Sequence, residues 1–389
     1  MPDKPIIAGI TGISGKSSTL KILENIFRLN NPHLKDSFKI FSSSITEKPS
    51  LKNKINDAYR DGTKYFFLEI SPRALSSPQI KSLNLNLLAV TNLSPEAAAD
   101  PPGKINGLMS SFSKLLKEDS TALINADDTL ALQMADVTHS QVITYALDYP
   151  NAMATAKKIQ LKSKQSRFSV MLESDIDTLT GKIISPGSQD FTLPLPGRHN
   201  IYNALVAILI SLACDISFES ISEKLNRMPH FKRCLEAVYS NQFKIIDDGA
   251  SNPGAIESVL KTISSYQFKK IILVFALSGN HSSSINALNG KVISHWAEKI
   301  PIEKIIITKS IHQVNKKARA SLQEEKVFLE KCQNIKGRIS VIPGLGDALQ
   351  DSILSAREGD IILLLGEKGM EAGASLSQKI LHSFSGTSG

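Results

Sequence analysis

A chain of 389 residues is too long for a single hydrophobic core and divides most naturally into two domains. Its 42% hydrophobic and 21% charged residues are those of a globular protein, no apolar run is long enough to cross a bilayer, and Met1-Pro2-Asp3-Lys4 lacks the layout of a signal peptide, so the expected compartment is the cytoplasm. Three widely spaced cysteines, Cys214, Cys234 and Cys332, fit neither a disulfide framework nor a zinc pair. A net charge of +8 suits an anionic small substrate with a nucleotide, or a plain basic surface, as well as nucleic acid, whose aromatic-basic motifs are missing.

Ile6 to Ile10 reads as a buried strand that runs into Thr11-Gly12-Ile13-Ser14-Gly15-Lys16-Ser17-Ser18. Leu20, Ile22, Leu23, Ile26 and Phe27 then recur at helical spacing. Strand, glycine turn and helix start together predict a phosphate cradle, in which backbone N–H groups freed at Gly12 and Gly15 converge on an anion at the helix N-terminus. Lys16 adds a point charge for the outer phosphates, and Ser17 a hard oxygen for a nucleotide-bound Mg²⁺. The spacing is the short T-G-x-x-G-K-S form, with Ile10 where the longer pattern has its first glycine.

Further strands are expected at Tyr65 to Ile70, Leu87 to Thr91 and Ala122 to Asn125, separated by helical patterns, which argues for a mainly parallel sheet with helices on both faces. Ligands of such sheets sit beyond the carboxyl ends of the strands, so Glu69, Thr91-Asn92-Leu93-Ser94 and Asn125-Ala126-Asp127-Asp128 stand out. Glu69 ends an apolar strand, where a carboxylate suits a metal–phosphate site. The polar stretch from Ser42 to Leu51 either faces substrate or is simply a loop. From about Ala156 to Leu195 polar and apolar residues alternate, as in an antiparallel meander. Pro196-Gly197-Arg198-His199-Asn200-Ile201-Tyr202-Asn203 then opens an apolar helix; Asn200 and Asn203 share a face that could read a purine edge, or Asn200 is only an N-cap.

A second alternating segment begins near Met228, with strands expected at Phe243 to Ile246, Ile271 to Phe275, Ile305 to Thr308, Ile339 to Ile342 and Ile361 to Leu365. Asp247-Asp248-Gly249-Ala250-Ser251-Asn252-Pro253 closes the first of these, and Gly366-Glu367-Lys368-Gly369-Met370-Glu371 the last.

Taken in order, these stretches resemble the Mur ligase family of ATP-dependent amide ligases, which includes the peptidoglycan amino-acid ligases, folylpolyglutamate synthases and cyanophycin synthetases. The resemblance spans nearly the whole chain: the glycine loop, Leu68-Glu69-Ile70-Ser71-Pro72-Arg73, the Thr91 and Asn125 stretches, the helix start at Pro196, Arg233 with Glu236, the Asp248 loop and the Gly366 loop. It implies an α/β fold with a P-loop NTPase-like central domain, residues 1–229, whose mainly parallel sheet is joined by a small antiparallel one, and a Rossmann-like α/β domain, residues 230–389. It also implies a carboxylate that attacks the γ-phosphate of ATP, and an amine that displaces phosphate from the resulting acyl phosphate. By resemblance, Gly12, Ser14, Gly15, Lys16, Ser17 and Ser18 hold the phosphates, Ser17 and Glu69 organise Mg²⁺, and Asn200 and Asn203 hold the adenine. Asp247 or Asp248 contacts the ribose, Arg233 reaches the γ-phosphate, and Asn252, Lys368 and Glu371 lie toward the incoming amino acid.

The departures bear on catalysis. Arg73 stands where the family often has a metal-binding histidine, Glu96-Ala97 where many members have Asp-His, Phe112 where peptidoglycan ligases carry a carbamylated lysine, with Lys114 out of register, and Ser251 in place of a usual histidine. Ser278-Gly279-Asn280-His281 replaces an acidic loop. Two readings stay open: a working ligase in which Arg73 supplies the charge of a second cation, or a nucleotide-binding scaffold that no longer catalyses. The glycine loop so close to Met1 leaves no room for the domain that holds a UDP-sugar in peptidoglycan ligases, which favours a smaller carboxylate or a partner chain that supplies that domain.

Overall fold

The computed structural model describes residues 4–28, 37–41, 50–93, 102–162, 164–279, 283–316 and 318–385. Most of the polar stretch after Ser42, together with Ser94, Glu96-Ala97 and Asn280-His281, lies outside them. The chain divides into two compact units, residues 1–229 and 230–389.

In the first unit the elements follow as β1 (Ile6–Thr11), α1 (Lys16–Arg28), β2 (Phe38–Phe41), α2 (Leu51–Arg60), β3 (Tyr65–Ile70), β4 (Leu87–Val90), α3 (Pro102–Leu115), β5 (Thr121–Asn125) and β6 (Gln141–Ala146). They continue as β7 (Ala154–Leu161), β8 (Ser166–Leu172), β9 (Ile176–Asp177), β10 (Ile183–Ile184), β11 (Gly187–Leu193), α4 (Arg198–Ala213) and α5 (Phe218–Asn226). Nine strands form one sheet in the order β11-β8-β7-β6-β5-β4-β1-β3-β2. It is parallel from β2 to β7 and antiparallel across β7, β8 and β11. The meander therefore extends the parallel sheet at one edge, while β9 and β10 pair as a separate ribbon.

Burial explains these elements. Every residue of β1, β4 and β5 is buried, as expected of strands covered on both faces. Side chains alternate across the sheet: Phe67 meets Phe27 of α1 edge-on at 4.8 Å, whereas Phe66, Leu68 and Ile70 join Phe112 of α3 in the core on the opposite face. Helix α4 is buried almost all round, which is why its pattern is continuous rather than striped, and α1 packs against it.

The second unit comprises β12 (Glu236–Ser240), β13 (Lys244–Asp248), α6 (Pro253–Ile263), β14 (Ile271–Ala276), α7 (Ser283–Lys299), β15 (Ile302–Thr308), α8 (Leu322–Glu330), β16 (Ile339–Val341), α9 (Leu345–Ser355), β17 (Ile361–Leu365) and α10 (Gly373–Ser385). Its sheet runs β12-β13-β17-β14-β15-β16, parallel except for β12 at the edge. Ile246, Leu273, Phe275 and Leu363 face one core with Trp296 and Phe328; Ile245, Ile272, Val274, Ile362 and Leu364 face the other with Leu349. The parallel register brings Asp248 beside Leu365, so the loops after β13 and β17 emerge at the same edge.

Candidate functional site

In the first unit β1 ends at Thr11, level with Ile70 of β3 and Val90 of β4. The loop that follows needs its glycines. Gly12 has φ +137° and Gly15 φ +86°; a Cβ on Gly12 would lie 2.0 Å from Thr91 Oγ1, and one on Gly15 2.3 Å from Asn203 Oδ1. The end of β4 braces the loop: Ile13 N–H donates to Asn92 O (2.9 Å), Ser14 N–H to Asn92 Oδ1 (3.1 Å), and Thr91 Oγ1 to Ser14 O (2.7 Å). Asn92 Nδ2 also donates to Ser14 Oγ at 2.9 Å. Thr19 N–H closes onto Gly15 O at 2.9 Å, so the amides just before it belong to the open N-terminal end of α1. That end, partly exposed, is a ready anion site.

Lys16 Nζ folds back onto the loop, donating to Gly12 O (2.7 Å) and Ile13 O (3.2 Å). Ser17 Oγ lies 3.0 Å from both carboxylate oxygens of Glu69, although 52 residues separate the two in sequence. A hydroxyl and a carboxylate side by side, at the mouth of a phosphate cradle, are the hard oxygens that suit Mg²⁺, which takes its remaining ligands from phosphate and water. Among the described residues no group of three or more His, Cys, Asp or Glu could hold a metal. Arg73 is exposed on the turn Pro72–Ser76 directly after β3, and no side-chain partner meets it among the described residues. Phe112 is fully buried in the core, and Lys114 points to solvent.

The start of α4 closes over Gly15. Asn200 is not an N-cap, because Gly197 holds that position; its Nδ2 donates to Pro196 O at 2.7 Å and its Oδ1 accepts from Asn203 Nδ2 at 3.3 Å. Both amides are buried, Asn200 against the turn at Pro196 and Asn203 beside Gly15. Sequence reasoning missed the hub beside them. Asp127 accepts from Tyr202 Oη (2.6 Å) and from the backbone N–H groups of Leu147 (2.6 Å), Asp148 (3.1 Å) and Tyr149 (2.7 Å), while Arg198 pairs with Asp148. Burial works against ionisation of Asp127, yet these hydrogen bonds hold it below the usual carboxylate range. Its place at a strand end was the only signal available. Nothing in the spacing joins residues 127 and 202.

In the second unit, the end of β13 is internally satisfied. Asp248 accepts from Leu235 N–H and Ala250 N–H, both at 2.8 Å, and Asp247 is fully buried 3.3 Å from Arg233 Nε. Both carboxylates, expected near a ribose, are buried within the unit. Burial raises Asp247 to about 7 in spite of the guanidinium beside it. Arg233, expected at a γ-phosphate, donates from its guanidinium to Glu367 O at 2.8 Å and to Gly366 O in this structure, which holds no nucleotide. Asn252 was expected toward substrate; it caps α6, accepting from Ala255 N–H at 3.0 Å. Lys368 and Glu371 are exposed beyond the end of β17.

Comparison with known proteins identifies the family and the fold. The Mur ligase middle domain family matches residues 10–211, more than half of the chain, and the family described as the Mur ligase glutamate ligase domain matches residues 233–368. The chain belongs to the Mur ligase family. The UDP-N-acetylmuramoyl-L-alanyl-D-glutamate–2,6-diaminopimelate ligase of Bacillus licheniformis is 26% identical over 384 residues, covering 94% of this chain and 74% of that enzyme. MurF from Acinetobacter baumannii superposes with a TM-score of 0.71 at 16% identity, over 98% of this chain and 77% of that one. MurF from Thermotoga maritima, solved with ADP, gives 0.65 at 12% identity, over 98% and 81%. These likenesses bear out the mixed α/β fold, with its large, mostly parallel sheet. Mur ligases are ATP-dependent ligases that join an amino acid to a carboxylate. Among the described residues, no helix of this Mur ligase is long and apolar enough to cross a membrane.

Proposed function

We propose that this chain is an ATP-dependent ligase that joins a carboxylate to an amino acid or other amine in the cytoplasm, by way of an acyl phosphate. The observation that carries the reading is the cradle of Gly12 to Ser18 with Ser17 and Glu69 already in contact at its mouth. Phosphoryl transfer asks for positioning and charge neutralisation more than covalent chemistry. Lys16 leaves its own loop carbonyls for the β- and γ-phosphates, and the N–H groups opening α1 receive phosphate oxygens. Ser17 and Glu69 hold Mg²⁺, which neutralises charge on the phosphates when bound. The substrate carboxylate oxygen attacks the γ-phosphorus as the bond to the β-phosphate oxygen breaks and ADP leaves. The amine nitrogen then attacks the acyl carbon, loses a proton, and phosphate departs. Arg73, exposed just beyond the end of β3, stabilises the negative charge of this sequence from the side where the family often has a metal-binding histidine.

Relatives named as ligases of 2,6-diaminopimelate and L-alanine support an amino acid as the amine. Phe112, buried in the core where peptidoglycan ligases carry a modified lysine, favours a second reading in which nucleotide binds without turnover. Trapping separates the two. With Mg-ATP, hydroxylamine and a panel of carboxylates that includes UDP-muramyl peptides, the ligase forms a hydroxamate, and Lys16→Ala lowers the rate on the order of 100-fold. ADP and ATP binding with no hydroxamate from any carboxylate would overturn the ligase reading.

A further inference from the structure

The turn after β5, Asn125-Ala126-Asp127-Asp128, carries two carboxylates at the carboxyl end of the first unit's sheet. The parallel register sets Ile124 beside Val90 and Val90 beside Thr11, so this turn leaves the sheet two strands away from the glycine loop and on the same side. Negative charge there opposes a bound anion unless it is spent on donors. It is spent in two directions. Asn125 Nδ2 donates to Thr91 O at 2.7 Å, and Asp128 Oδ2 accepts from Leu93 N–H at 2.7 Å, so the residues on either side of Asn92 are both held. Asp128 Oδ1 also caps the short helix Thr129–Leu132, accepting from Leu130 N–H at 3.1 Å and Ala131 N–H at 2.9 Å. Asn92 in turn accepts from the amides of Ile13 and Ser14. In the other direction Asp127 accepts from Tyr202 Oη at 2.6 Å, and the next residue of α4, Asn203, is the one that borders Gly15. Asn125, Asp128, Thr91 and Asn203 are all buried.

We infer that Asn125, Asp127 and Asp128 are positioning residues for the nucleotide: a single turn that sets both walls of the glycine loop, Asn92 against Ile13 and Ser14 on one side and Asn203 against Gly15 on the other. An anion site made of backbone N–H groups works only while those groups converge, and a loop with two glycines at positive φ has little stiffness of its own. Rigidity has to come from what the loop is pressed against. Carboxylates suit the task because each accepts several N–H or O–H donors at once, and one so occupied presents little charge to phosphate. That the ligand is a nucleoside phosphate rests on the ATP reading of the cradle; that this turn holds the shape of the cradle does not.

The test uses the full chain with Asp128→Asn and Tyr202→Phe, one change for each wall and both close to the parent in shape; should the first fail to fold, the second carries the test. Ile143→Val, a change in the buried core of β6 that touches none of these contacts, controls for general loosening. Amide hydrogen exchange at residues 12–18 is expected to quicken about tenfold in both wall variants and to stay at the parent's rate in the control. The β17 peptide at 361–365 is unchanged in all three. The Kd for Mg-ADP rises about tenfold in the wall variants, and saturating Mg-ADP restores the parent's protection at 12–18, because the ligand then supplies the order that the walls no longer do. Exchange at 12–18 equal to the parent's in Asp128→Asn and Tyr202→Phe overturns the inference. So does an Ile143→Val chain that loses Mg-ADP affinity to the same degree, which would make the effect one of stability alone. A parent chain that binds no Mg-ADP overturns the ATP reading instead, and exchange at 12–18 still decides this one.

Discussion

Replacing Gly15 by alanine sets a steric problem inside the cradle. At φ +86° a side chain costs about 1–2 kcal/mol of backbone strain. The added methyl also lies 2.3 Å from Asn203 Oδ1, well inside contact distance, so the buried amide must turn away. In doing so it gives up its 3.3 Å bond to Asn200, worth about 1 kcal/mol. Gly15→Ala should therefore destabilise the first unit by about 2–3 kcal/mol. Asn203→Ala on its own loses the same hydrogen bond and some packing, for about 1–2 kcal/mol, but clears the space the methyl needs. The double variant should then cost less than the sum of the singles by about 1 kcal/mol, the hydrogen bond that both singles lose, leaving the backbone term and the loss of Asn203 itself. Amide exchange of the buried β1 and α4 peptides in the full chain measures these opening free energies. Strict additivity, or a Gly15→Ala chain as stable as the parent, would refute the steric argument.

Two titration predictions accompany it. His199 Nδ1 is buried with no hydrogen-bond partner among the described residues, and burial pushes the imidazole down to about 4, against about 6.5 in an unfolded chain. Between those values the unfolded state binds the proton first, so stability is full above pH 6.5 and falls as the pH drops toward 4. The loss has an upper limit on the order of 3 kcal/mol, since the residue as a whole is only half-buried. His199→Gln should flatten that slope in pH-dependent denaturation; an unaltered slope would assign it elsewhere. For Asp127, which is held below the usual range, stability is present above about pH 4 and lost as pH falls through its lowered value. Tyr202→Phe removes one of its four donors and should cost about 1.5–3 kcal/mol, with faster exchange at residues 147–149; protection there equal to the parent's would contradict the hub.

Much of this protein is written in local pattern. Strand, glycine turn and amphipathic helix at Ile6 to Phe27 were legible because burial on both faces of β1 and on one face of α1 imposes periods that residue types must obey, and because φ above zero at Gly12 and Gly15 tolerates nothing bulkier. The strands from Tyr65, Leu87, Ile271 and Ile361 were visible for the same reason. The short β2, the partly buried β6 and the edge strand β12 were not, because an edge or a partly wetted strand carries no continuous apolar run.

Side-chain partnership was decided only when the chain folded. The residue types at 69, 200, 233, 248 and 252 announce polar chemistry, yet nothing local says whether a polar atom will face a ligand or satisfy a neighbour. Glu69 meets Ser17 because β3 lies beside β1 in register; Asn252 becomes a cap because α6 begins there; Arg233 ends on the carbonyls of Gly366 and Glu367 because β13 and β17 are adjacent although more than 110 residues apart in sequence. Hydrogen bonds need atoms within about 3 Å of each other. Sequence dictates which atoms are available, and sheet topology dictates which of them meet.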